Sequence, residues 1–79
     1  MNETRLLYLN RAIEGSPNAA VNFVLRGEYW LEAGDWEQAT QDFEQALELA
    51  QSALVTSEWG YLEQALVDRA EHGLRLITF

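Results

Sequence analysis

Few residues in this chain have the type and spacing that chemistry requires. The only histidine is His72. A general base needs a group that orients it, and Asp68, four positions earlier, would share its helical face. The simpler reading is a solvated surface histidine beside acidic neighbours. Cysteine is absent, so no Cys/His cluster offers transition-metal spacing. Glu28-x3-Glu32 and Glu44-x3-Glu48 each put two carboxylates on one helical face. Carboxylate pairs without histidine or loop carbonyls are weak ligand sets, and solvated faces account for both. There is no glycine-rich phosphate loop and no G-x-S-x-G elbow. The expectation is a non-enzyme that uses no metal and no cofactor.

Charge narrows the partners instead. The net charge is −8, and all five basic residues are arginine: Arg5, Arg11, Arg26, Arg69 and Arg75. Between Gly27 and Asp68 there are ten acidic residues and no basic one. Binding to phosphate backbones or anionic membranes needs the opposite balance, so neither nucleic acid nor membrane is expected. A basic or amphipathic protein segment would be attracted. The same acid also serves simply to keep a small helical protein in solution. No cysteine fits a reducing compartment. Met1-Asn2-Glu3-Thr4 lacks the layout of a secretory leader, and no apolar run reaches membrane-spanning length. A cytoplasmic location is the expectation.

The elements that position these residues read as helices. With 79 residues, 48% hydrophobic, there is material for one small core. Residues 3–14 put Leu6, Leu9 (or Tyr8), Ala12 and Ile13 at helical spacing, with Asn2 placed to cap them. Gly15-Ser16-Pro17-Asn18 is the clearest breaker: Gly15 ends the first helix and Asn18 caps the next. The second helix is expected over 19–33, with Val21, Phe23, Val24, Gly27, Trp30 and Leu31 apolar or small. Gly27 in its middle costs roughly 1 kcal/mol relative to alanine, tolerable where a neighbour packs close. Gly34-Asp35 then combines a helix-ending glycine with an N-cap, and Asp35 with Gln38 has the form of a capping box.

The third helix, over 36–54, carries Trp36, Ala39, Phe43, Ala46, Leu47 and Ala50 at steps of three and four. Trp36 and Phe43 are expected to fill the gaps that its alanines leave. Residues 51–58 contain no Gly or Pro, so they either break the helix or continue it. Thr56 or Ser57 could cap a fourth helix over 58–77, whose stripe is Trp59, Leu62, Leu66, Ala70, Gly73 and Ile77. Short connections imply antiparallel neighbours. Periodicity alone therefore gives one all-α domain of about four helices.

The spacing Phe23-x2-Arg26-Gly27-x2-Trp30, Gly34-Asp35-Trp36, Ala39-x3-Phe43-x2-Ala46 resembles a tetratricopeptide repeat. Arg26 stands where that pattern usually has Leu, and Gln51 where it has a closing Pro. The resemblance spans about residues 20–53. A shift of 34 positions back takes Phe43 to Leu9 and Gln51 to Pro17, so residues 3–18 resemble the second half of a preceding repeat. A shift forward puts Gly27 on Tyr61, so the last helix is a cap rather than a repeat. The resemblance implies antiparallel hairpins of tetratricopeptide type: a half repeat, one full repeat and a capping helix.

It also implies where binding occurs. In that family the first helices of the hairpins line a concave groove, here Val21, Val24, Glu28, Leu31 and Glu32, with Asn18 at the edge. Such a surface suits a segment carrying apolar side chains beside Lys or Arg. The clamp that some relatives close on a C-terminal carboxylate is absent, because Val24, Leu25 and Glu28 occupy its positions. Alternatively, Val21, Val24 and Leu31 merely touch the last helix. Two functions follow: a non-catalytic adaptor binding a protein or peptide through the groove, or a self-associating protein, forming homo-dimers by hairpin stacking or helix exchange.

Overall fold

A computed structural model describes residues 2–56 and 60–78. The chain is all-helical there: α1 (Glu3–Gly15), α2 (Ala20–Ala33), α3 (Trp36–Thr56) and α4 (Tyr61–Ile77). Capping sets most of the ends. The Asn2 Oδ1 accepts the Arg5 backbone N–H at 3.1 Å and starts α1. Gly15 remains inside α1, and the Ser16 N–H closes the helix on the Ala12 carbonyl at 2.9 Å. Asn18 does not cap α2; the N-cap is Ala19, with no side-chain hydrogen bond. The cause is a tight turn over Ser16-Pro17-Asn18-Ala19, closed by the Ala19 N–H on the Ser16 carbonyl at 3.2 Å. Proline sets the second position of such a turn, which uses Asn18 as the third and moves the helix start onward.

Gly34 and Asp35 end one helix and cap the next as expected. The capping box forms only in its Asp35 half, and among the described residues no bond joins the Gln38 side chain to the Asp35 N–H. Gly34 takes a left-handed φ of 80°, and the Asp35 N–H reaches the Trp30 carbonyl at 3.0 Å. The Asp35 Oδ1 accepts the Gln38 N–H at 3.1 Å, so one residue pair ends α2 and caps α3. Asp35→Ala should cost about 1 kcal/mol, read as a lower urea midpoint at constant slope, and Asp35→Asn should recover most of it. No difference between the alanine and asparagine variants would refute the cap.

The helices pack as consecutive antiparallel neighbours. Asn10 and Arg26 pair α1 with α2, while Gly27 lies on Phe43 to pair α2 with α3. Gly73 lies on the same Phe43 and pairs α3 with α4, which also touches α2. The core is a column on α3, Ala39, Phe43, Ala46 and Ala50, all fully buried. A Cβ at Gly27 would sit 2.8 Å from the Phe43 ring, and one at Gly73 would overlap it. Glycines on two helices thus make a slot for one aromatic ring on the third. Val24, Leu66, Val67 and Ala70 complete the walls.

Three expectations are corrected. Trp36 does not fill a gap: it is 54% exposed. Leu62, expected in the inward stripe of α4, is 67% exposed, for reasons given below. The cap of α4 is Gly60, left-handed at φ 71°, and not Thr56. The helix α3 continues to Thr56; Ser57 and Trp59, and the expected start of the last helix at 58, lie outside the described residues.

Candidate functional site

The six groove residues inferred from the resemblance do not form one open surface. Val24 is fully buried beneath α3 and α4, so it is core and cannot meet a partner in this fold. Glu28 accepts from Arg69 of α4 through both carboxylate oxygens. Glu32 pairs with Arg5 of α1 at 3.3 Å. Leu31 is half-buried against the core. Asn18 and Val21, at the start of α2, stay open, as does Glu32 at its other end, whose side chain keeps 63% of its surface in water. The reason is that α4 runs parallel to α2 and lies on it, and Arg69–Glu28 closes the middle of the groove.

What survives at the open end is a cleft of about 230 Å³ where three helices diverge. Asn18, Ala19, Ala20 and Val21 line it from α2, Leu49, Ala50 and Ala53 from α3, and Leu62, Glu63 and Leu66 from α4. The cavity is a consequence of side-chain size. Alanine at 19, 20, 50 and 53 leaves room where larger residues would have closed the junction. α2 offers only its first turn at this level, so Leu62 finds no wall to bury against and stands at the mouth with Val21. The wall is apolar apart from Asn18 and Glu63. The volume lies below the roughly 300–1,000 Å³ of small-molecule sites, and suits a large side chain better than a metabolite.

Sequence reasoning found Asn18 and Val21 but missed the walls from α3 and α4. The signal was present as alanines at helical spacing on α2 and α3. Reading it required the register of three helices, which no single periodicity contains.

The residues considered for chemistry stay apart. His72 is exposed on α4, and among the described residues no hydrogen bond joins it to Asp68, whose Oδ1 accepts from the Gln64 amide at 3.0 Å. Glu44 and Glu48 lie on the outer, exposed face of α3. Among the described residues, no three His, Asp or Glu side chains are grouped to hold a metal ion. No helix of the described residues is long and apolar enough to cross a membrane.

Arg26 is a half-buried charge that ties three helices together, paired with the buried Asp42. Its Nε and Nη2 donate to the two Asp42 oxygens, each at 2.8 Å, and its Nη1 donates to the Asn10 Oδ1 at 3.0 Å. Hydrogen bonding to Asp42 raises the guanidinium pKa against the opposing effect of burial, and the Asp42 charge adds to the rise. The group is therefore a fixed cation tying α1, α2 and α3 together, with no proton to exchange in catalysis. Comparison of the chain with protein-family models, with curated proteins and with solved structures returned no match.

Proposed function

We propose that this protein is a non-catalytic, cytoplasmic interaction module of tetratricopeptide-repeat type. On this reading a half repeat (α1), one full repeat (α2 and α3) and a closing helix (α4) present a docking surface to a basic or amphipathic protein segment. The repeat reading is supported by Gly27, Ala39, Phe43 and Ala46, whose spacing prompted it and which pack together in the core. The absence of cysteine favours a reducing compartment. One observation carries the binding function: an apolar cleft whose rim, Val21 and Leu62, is left in water. Exposed apolar side chains around a concavity mark interaction sites when polar residues surround them.

Val21→Asp with Leu62→Asp tests this, because both side chains are on the surface and the helices should persist. Cross-linked capture from cell extract should retain a protein on the wild type that the double variant loses, at unchanged helicity. Identical capture by both would sink the cleft as the docking site.

Self-association has one observation of its own. α1 has no buried residue, and it exposes Leu7 and Tyr8. Stacking of that face on a second copy would raise the scattering mass with concentration, and a constant monomer mass would eliminate it. Exchange of a fused α3–α4 helix is a poorer form of this reading. It would require Gly60 to leave the left-handed region that now separates the two helices.

A further inference from the structure

If the cleft is a protein-docking site, its charge surroundings narrow the occupant. We infer that it takes one large aliphatic or aromatic side chain from an amphipathic helical segment, whose Lys or Arg pairs with Glu63.

The alanines that make the space leave an opening sized for a side chain, and walls that are apolar apart from Asn18 and Glu63 favour an apolar anchor. Among the described residues, Glu63 is the only charged group in the wall. It is half-buried and makes no ion pair among the described residues. The arginine next along α4, Arg69, is committed to Glu28, and among the described residues no cation lines the cleft. Arg75 lies in the last turn of α4, at the opposite end of the helix. A carboxylate beside an apolar wall feels a lower effective dielectric than one in open water, so a matching cation gains more there. The same field opposes an acidic segment. A helical segment places residues three or four apart on one face, which brings an anchor and a base to the cleft together. A second copy is the poorer occupant, because each copy carries a net charge of −8.

The test is titration of the isotope-labelled full chain with two synthetic helical peptides. One has Leu and Lys a turn apart, and the other has Glu in place of Lys. The Leu/Lys peptide should shift the amides of Ala19, Ala53, Leu62 and Glu63 and saturate, whereas the Leu/Glu peptide should not bind. Glu63→Lys should weaken the first peptide by about tenfold, a change of 1.4 kcal/mol, and confer binding of the second. Leu62→Asp should remove binding of either peptide to its matched chain.

Equal saturation of the cleft by both peptides, indifferent to Glu63→Lys, would overturn the charge pairing while leaving a protein-docking cleft. Shifts confined to Glu37, Glu44 and Glu48 on the outer face of α3 would show only non-specific attraction, and would overturn both the pairing and the cleft. Silence of the cleft amides toward both peptides would do the same. Cleft shifts that appear on concentrating the protein alone would make a second copy the occupant, and would overturn the basic partner.

Discussion

Phe43→Ala should lower the unfolding free energy by about 3–5 kcal/mol, the range for emptying a buried aromatic site. Stability of roughly 0.05–0.15 kcal/mol per residue gives a chain of this length about 4–12 kcal/mol in all. The variant would therefore lose a large share of its stability, visible as a much lower melting temperature and, at the low end of that range, as lost helicity at room temperature. The cost is set by position. The Phe43 ring is fully buried, and Gly27 on α2 and Gly73 on α4 meet it from two helices. Its removal leaves a hole that neither glycine can fill, because neither has a side chain to move.

The glycines provide the reciprocal test. In an exposed helix Gly→Ala gains about 1 kcal/mol. At Gly73 the new Cβ would overlap the ring, and overpacking of this kind costs about 1–3 kcal/mol. Gly73→Ala should thus be net destabilising despite its better propensity. Combined with Phe43→Leu, which shortens the opposing side chain, it should cost less than the two changes added separately. A stabilising Gly73→Ala would show that the slot is not filled by Phe43.

How much of this was legible in the sequence depends on whether a feature is local. Asn2, Gly34 and Asp35 act within one turn of the chain, and their types announced caps that the backbone geometry contains. Ala39, Phe43, Ala46 and Ala50 lie on one helix, so their period revealed the core column. Gly27 pointed to a close neighbour, although it could not say that the neighbour is a ring rather than a backbone. Features set by two or three helices at once were not legible. Trp36 looked like core because its spacing continues the stripe, but at the first position of α3 it stands exposed. Leu62 continued the stripe of α4 and ended in water, because α2 begins only at that level. Glu28 and Glu32 looked like free carboxylates until Arg69 and Arg5, distant in sequence, were placed on them. The cleft belongs to the same class: it is a space between walls, and a sequence lists only the walls.

Arg26 was the departure from the repeat pattern, and it supports the second large prediction. Asp42→Ala should cost about 2–3 kcal/mol, read from the denaturant midpoint. That is below the roughly 3–5 kcal/mol for orphaning a fully buried ion. The discount follows from exposure: the Arg26 side chain keeps 24% of its surface in water, against 6% for Asp42. No pH in the working range relieves this cost. The folded-state pKa of Arg26 is raised, so the contribution from its own protonation is fully present below the ordinary guanidinium value and is lost as pH rises through the folded one. Replacing both partners with leucine removes the orphan. Arg26→Leu with Asp42→Leu should therefore be nearly neutral or mildly stabilising for α2, α3 and α4, as apolar replacements of buried pairs often are. The cost moves to α1, which loses the Arg26 donor to Asn10 and has no buried side chain of its own. Amides of α1 should then exchange faster than in the wild type while those of α3 stay protected. Uniformly faster exchange in all four helices would mean that the arginine holds the whole core, and not the α1 docking alone.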